Sequence, residues 1–109
     1  MMRAYELMVI IDGDVEDPKA QSYTKMVVDH IDQAGGVVNG KPDWWGKRPF
    51  AYPINKKDAG YYLVVECVVE GGALDELERQ LRLADEVVRH KLIRLPEAEA
   101  ERRGMAVSA

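Results

Sequence analysis

Hydrophobic and polar side chains alternate along residues 3–11, near the start of the chain. Leu7, Val9 and Ile11 belong to one set of alternate positions, and Glu6 marks the other set as less buried. A period of two is typical of a β-strand that has one side on a core. The pattern therefore predicts a first strand here.

Two later segments have apolar residues at helical spacing instead. The first begins at Asp17-Pro18, a typical N-cap followed by proline, and ends at Gly35-Gly36. The second runs from about Ala73 to Ala84 and has acidic residues in its first turn, where they favour the helix dipole. The apolar stripes of the two predicted helices are formed by Tyr23, Met26, Val27, Ile31 and Ala34, and by Leu74, Leu77, Leu81 and Ala84.

Strand-forming residues return between the two helices, in two runs that a polar turn separates. The first run begins at Val37-Val38 and is interrupted at Gly40 and Pro42. It continues through residues 44–54, which are rich in aromatic side chains. Residues 55–60 are polar and end in glycine, which predicts the turn of a β-hairpin whose second strand covers residues 61–69.

The last predicted strand runs from Val87 to Leu95 and ends before Pro96. The order β-α-β-β-α-β is that of the ferredoxin-like, or split βαβ, arrangement. We therefore predict an α+β fold, a four-stranded antiparallel sheet with two helices on one face and the other face left to solvent or a partner. Residues 1–95 should form one domain, and the Ala- and Glu-rich residues 96–109 a flexible tail.

The net charge of −4 argues against a general nucleic-acid binder, which needs clustered positive charge. The charge is unevenly distributed, however. Residues 41–57 carry a balance of +4 and residues 87–95 one of +3, so the rest of the chain carries −11. Basic residues on two predicted strands fit two interpretations: contact with phosphate, or charged sheet edges that prevent aggregation.

No combination of residues predicts an active site, so we expect no enzyme, no metal, no cofactor and no small-molecule substrate. His30 and His90 have no cysteine or carboxylate at metal-binding spacing. Cys67 falls on the apolar side of its strand and should be a small buried hydrophobe. A single cysteine excludes an internal disulfide and fits a reducing cytoplasm. No apolar run reaches the roughly 18 residues of a membrane span, so we expect no membrane partner.

Large aromatic residues concentrate on the predicted hairpin: Trp44, Trp45, Phe50, Tyr52, Tyr61 and Tyr62. Alternation must direct about half of them into the core. Tyrosine and tryptophan that point outward are typical anchors of interfaces, and Lys47 and Arg48 lie among them. Interleaved aromatic and basic residues indicate contact with nucleic acid or a protein partner.

The same segment carries a specific resemblance. The order W-G-K-R-x-F-A-Y-P-I-x-K, followed after a short gap by G-Y-Y-L, resembles the signature hairpin of the bacterial small-subunit ribosomal protein six family. The opening Arg3-Ala4-Tyr5-Glu6 and the late segment from Leu81 to Arg89 fit this family at the right distances. The resemblance covers residues 2–95, almost the whole predicted domain.

This resemblance implies a cytoplasmic, ribosome-associated protein that binds the central domain of small-subunit ribosomal RNA as a heterodimer with small-subunit ribosomal protein eighteen. An acidic chain with two basic strands suits such a shared site, because acidic surfaces attract a basic partner while the basic strands contact phosphate. For contact with RNA we predict Arg3, Lys47, Arg48, Arg89, Lys91 and Arg94. For the partner surface we predict Trp45, Phe50, Tyr52 and Tyr62.

Two other functions stay open on the residues alone. RNA-recognition-motif domains share this topology and carry Lys/Arg-Gly-aromatic-Gly/Ala-aromatic-Val on their third strand. Gly60 and Tyr61 match that pattern, but the leading base is missing and Tyr62 stands where glycine or alanine belongs. A stand-alone single-strand RNA binder and a regulatory domain that self-associates without RNA are therefore the alternatives, since fold alone does not decide function.

Overall fold

A computed structural model describes residues 1–105 as an antiparallel sheet with helices packed on it. In chain order its elements are β1 (Met2–Asp12), α1 (Asp17–Gln33), β2 (Val37–Val38), β3 (Asp43–Ile54), β4 (Lys57–Glu70), α2 (Asp75–Leu83), β5 (Val87–Arg94) and α3 (Glu97–Arg102). The sheet order is β2-β4-β1-β5, with β3 also paired to β4. The predicted ferredoxin-like α+β fold is confirmed.

The second predicted strand is split into β2 and β3. β2 pairs with Cys67 and Val68, late in β4, and β3 pairs with the earlier part of β4, so both lie along the same side of that strand. Between them Gly40 has a φ of +68°, and Pro42 has no N–H to donate to a ladder. β2 and β3 are thus two pieces of one edge strand, and the sheet has the four strand positions that the sequence predicts.

The hairpin turn is shorter than predicted. Instead of residues 55–60, the loop consists of Asn55 and Lys56 alone, with Ile54 opposite Lys57. Asn55 and Lys56 have φ values of +48° and +65°, as a type I′ turn requires, and asparagine is among the residues that best tolerate this conformation. The glycine that the sequence places at the end of the turn, Gly60, therefore lies inside β4.

The main core lies between the sheet and helices α1 and α2. Its completely buried side chains are Leu7, Val9 and Ile11 from β1, Leu63, Val65, Cys67 and Val69 from β4, and Ala20, Val27, Ile31 and Leu81 from the helices. Full burial of one such large aliphatic side chain contributes about 1.5–3 kcal/mol. Burial also raises the pKa of the Cys67 thiol to about 11, so this residue behaves as a hydrophobe rather than a nucleophile.

The register of the strands determines which side chains share a face. Residues directly opposite each other on antiparallel strands point to the same side. Leu7 lies between Val65 and Leu92 on the face that α1 and α2 cover, which we call the helix face. Met8 lies between Val64 and Lys91 on the other side, which we call the open face.

Residues 97–102, which the sequence predicts to lie in a flexible tail of residues 96–109, form the helix α3. α3 packs on the open face, where Ala100 and Met105 are buried against Ala4 and Leu95. The sequence does not predict this docking, because the segment consists mainly of alanine and charged residues. The docking depends on these few apolar side chains. Part of the open face that we expected to be left to solvent or a partner is thus covered by the chain itself. Residues 106–109 of the predicted tail lie outside the described residues.

Leu81 and Leu83 provide a matched test of this packing. Leu81 is fully buried in the main core, whereas Leu83 is 66% exposed on the same helix. Leu81→Ala should lower the free energy of unfolding by about 2–5 kcal/mol, the range typical of a buried leucine. Leu83→Ala should lower it by less than about 0.5 kcal/mol. Chemical denaturation of both variants measures the difference, and equal losses would show that the face of α2 is wrongly assigned.

Candidate nucleic-acid and partner interface

Three aromatic rings form a cluster on the open face of the hairpin, and we call Trp45, Phe50 and Tyr62 the aromatic cluster. The rings of Trp45 and Tyr62 stack with centroids 5.5 Å apart and planes inclined by 15°. Phe50 meets Tyr62 edge-on, with centroids 6.2 Å apart. Trp45 is still 45% exposed, so the cluster retains apolar surface that a partner is able to bury.

Trp44 and Trp45 lie on opposite faces of the sheet, as adjacent strand residues do, and a β-bulge interrupts the pairing at Trp45. Trp44 lies opposite Leu63 and stacks on Tyr61 in the main core, with ring centroids 5.6 Å apart. The register then shifts by one residue, so that Gly46 lies opposite Tyr62. Gly46 has a φ of +80°, which suits glycine and is typical of a bulge. The extra residue of the bulge is Trp45, so the residues after it lie on the opposite face from the one that unbroken alternation would give them.

Gly60 allows Phe50 to approach the sheet closely. A Cβ atom at Gly60 would lie 2.9 Å from Cζ of Phe50 and 2.8 Å from both Cγ2 of Ile10 and the carbonyl oxygen of Ile11. No side chain fits in this space without displacing its neighbours. The aromatic cluster consequently rests directly on β4 and on Ile10.

Tyr52, the fourth residue predicted for the partner surface, lies farther along β3 and is 74% exposed. The end of the hairpin that follows it is tied to β5, because the side-chain amide of Asn55 donates a hydrogen bond of 2.9 Å to the carbonyl oxygen of Val88. This contact holds the hairpin next to the basic strand β5.

The structure brings together three of the residues predicted to contact RNA. Arg48 lies opposite Gly60 and therefore shares the open face with the aromatic cluster. Arg89 and Lys91 lie opposite Ile10 and Met8, on the same face. All three cations are exposed. One face of the sheet thus presents aromatic rings beside positive charge.

The other three predicted RNA contacts lie on the helix face. Lys47 is opposite Tyr61, Arg94 is opposite Tyr5, and Arg3 is opposite Val69. Arg3 is half-buried, and its Nε atom has no hydrogen-bond partner within the described part of the chain. Alternation along the strand already predicts that Lys47 and Arg48 point to opposite sides of the sheet. The bulge and the strand register decide which of these two residues lies on the same side as the aromatic cluster.

The hairpin lysines contribute less positive charge than their number suggests. Lys57 forms an ion pair of 2.9 Å with Asp12, whose pKa is lowered first by the backbone N–H of Asp14 and then by Lys57. Lys47 and Lys56 line the same depression at the end of the sheet. Lys56 is not among the RNA contacts predicted from the sequence, although its position in the basic hairpin turn was a signal for it.

The open face becomes acidic away from the hairpin. A groove of about 660 Å³ runs there from Trp45 past Met8 and Val64 to Glu6 and Glu66. The two carboxylates lie directly opposite each other on β1 and β4. One face of the molecule therefore has an aromatic, basic end and an acidic end.

Both histidines have structural partners on the helix face. His30 Nε2 lies 3.1 Å from the side-chain oxygen of Gln80, and His90 Nε2 lies 3.0 Å from a carboxylate oxygen of Glu78. Within residues 1–105 no three potential metal ligands come together. In the same part of the chain, no helix has the length and apolar content to cross a membrane.

The chain matches the family described as Ribosomal protein S6 over residues 4–94. It is 42% identical over 93 residues to the small ribosomal subunit protein bS6 of Acidothermus cellulolyticus, a match that covers 85% of this chain and 96% of that protein. It is 43% identical over 94 residues to the bS6 protein of Carboxydothermus hydrogenoformans, with 86% and 97% covered.

The fold is also similar to solved structures. The crystal structure of 30S ribosomal protein S6 from Thermotoga maritima gives a TM-score of 0.84 at 30% identity and covers 95% of this chain and 97% of that one. The C-terminal domain of the MgtC protein from Mycobacterium tuberculosis gives a TM-score of 0.60 at 19% identity, which is a likeness of fold alone.

The close approach at Gly60 tests the position of the aromatic cluster. Gly60→Ala should destabilise the protein by about 1–3 kcal/mol, because the new methyl group overpacks against Phe50 and the backbone of β1. Part of this loss should be recovered in the double variant Gly60→Ala/Phe50→Leu, which removes the ring. Denaturation curves of both variants provide the measurement. A loss below about 0.5 kcal/mol in the single variant would mean that Phe50 does not lie against Gly60.

Proposed function

The chain belongs to the ribosomal protein S6 family, whose members are proteins of the small ribosomal subunit, and we propose that it binds small-subunit ribosomal RNA as a heterodimer with ribosomal protein eighteen. The role is structural, with no catalysis and no cofactor, and its proposed site is the central domain of the RNA in cytoplasmic ribosomes. The observation that carries the proposal is the pairing of the aromatic cluster with Arg48, Arg89 and Lys91 on one open sheet face.

The aromatic cluster is the proposed centre of the protein interface. Its rings are already ordered by stacking on each other, so little side-chain entropy is lost when a partner covers them. Tryptophan and tyrosine in such positions are the residues that most often dominate binding energy. Tyr52 extends this surface toward the end of the hairpin.

The cations beside the cluster are the proposed RNA contacts. Arg48, Arg89 and Lys91 are exposed and are able to reach phosphate oxygens at the margin of the partner interface. Lys47, Arg3 and Arg94 are proposed as further contacts, but from the helix face. Contact by all six would require RNA that passes around the edges of the sheet.

The charge of the chain explains why a basic partner is needed. The net charge is −4, and the local positive balances of +4 and +3 are opposed by −11 elsewhere. Phosphate is therefore attracted to two strands and repelled by the remaining surface. A basic partner that covers acidic surface and adds its own cations reverses this balance.

Binding by the isolated chain is the first test. Alone, it should bind ribosomal RNA fragments with a dissociation constant no lower than about 10⁻⁶ M at physiological salt, the range of non-specific binding. Together with ribosomal protein eighteen it should bind tightly and selectively. Titration of labelled fragments with each protein alone and with the mixture measures this. Tight, selective binding by the chain alone would contradict the heterodimer and favour the stand-alone single-strand RNA binder.

Arg48 provides the second test. Arg48→Ala should weaken binding of the heterodimer to RNA and reduce the slope of log affinity against log salt by about one, as the loss of one phosphate contact does. Lys25→Ala is the control, because it removes an exposed cation, paired with Asp29, from α1, which lies on the helix face. An unchanged slope in Arg48→Ala would show that Arg48 is an edge charge or a contact to the protein partner.

A further inference from the structure

Arg103, just after α3, links the C-terminal segment to the acidic end of the open face. Its Nη1 atom lies 2.6 Å from a carboxylate oxygen of Glu6 and 2.6 Å from one of Glu66, and its Nε atom lies 2.8 Å from Glu99. Glu6 and Glu66 are directly opposite each other, an arrangement of like charges that destabilises a sheet. The guanidinium removes this repulsion, and we call the contact of Arg103 with Glu6 and Glu66 the clamp.

α3 depends on this docking for its position. A helix of six residues is far shorter than the roughly 12–15 that an isolated helix needs in water. Within residues 97–105, the buried apolar side chains are those of Ala100 and Met105. They belong to a small cluster that is separate from the main core. The clamp itself is only half-buried, with Arg103 30% exposed. Few contacts hold the segment, so its release requires little disruption of the fold.

The docked segment borders the candidate partner surface. Glu6 and Glu66 line the same groove as Trp45, so the clamp closes the end of a groove that begins at the aromatic cluster. Asn39, on the rim of this groove, also contacts both the carboxylate of Glu66 and the backbone carbonyl of Arg103. A protein that covers the aromatic cluster and extends along the groove therefore meets residues 97–105.

We propose that α3 competes with a basic protein partner for the open face. In the free chain Arg103 occupies the space between Glu6 and Glu66, and the partner displaces the helix by placing an arginine or lysine of its own between the same carboxylates. Charge complementarity favours a cationic segment, since Glu6, Glu66 and Asp43 line the groove and Lys41 is the cation that opposes them among its lining residues. The identity of the partner rests on the proposed function, whereas the clamp does not.

Affinity for ribosomal protein eighteen tests the competition in the full-length chain. If α3 is docked about nine-tenths of the time, opening the clamp should tighten binding about tenfold, because the binding-competent fraction rises. Arg103→Ala should therefore bind more tightly than the unaltered chain. Arg102→Ala is the control, since it removes the same charge from a residue that pairs with Glu99 and not with the sheet. Ala100→Gln opens the segment by a second, charge-neutral route and should act like Arg103→Ala.

Amide hydrogen exchange of residues 97–105 supplies an independent readout. Exchange should be faster in Arg103→Ala and Ala100→Gln than in Arg102→Ala, and addition of the partner should accelerate it in the unaltered chain. Slower exchange on addition of the partner, or equal or weaker affinity in Arg103→Ala, would overturn the competition and leave the heterodimer standing. If no variant binds ribosomal protein eighteen at all, the heterodimer itself fails, and the competition fails with it.

Discussion

The pairing of β1 with β4 at the centre of the sheet is the constraint on which the rest of the structure depends. It runs without interruption from Met2 opposite Glu70 to Asp12 opposite Gly60. A slip of one residue would turn every side chain of one strand to the other face. The observed register buries Leu7 and its neighbours under the helices, and the same register places Met8 and the aromatic cluster on the open face.

This register also gives the open face its two chemically different ends. At the hairpin end, stacked rings lie beside exposed cations, which suits contact with both a protein and phosphate. At the other end, Glu6 and Glu66 are brought together across the strands and require a cation. Under the proposed function, this arrangement lets a small domain of negative net charge attract nucleic acid and a basic protein to a single face.

Local departures from regular structure position the candidate site. The bulge at Trp45 and the absence of a side chain at Gly60 together allow three aromatic rings to pack on the surface instead of in the core. Both features are part of the fold, because without them the aromatic residues would follow the regular alternation of the strand. The two-residue turn at Asn55 then brings the end of the hairpin to β5.

The sequence by itself determined the order of the elements, the apolar faces of both main helices and the aromatic, basic hairpin, because these depend on periodicity and residue type within short segments. Only the tertiary structure decided which of Lys47 and Arg48 shares a face with the aromatic cluster, and that residues 97–105 pack on the sheet. These outcomes depend on register and on contacts such as Arg103 with Glu6, between residues far apart in the chain. The pattern within a short segment contains no information on contacts between distant residues, so three-dimensional packing alone decides those contacts.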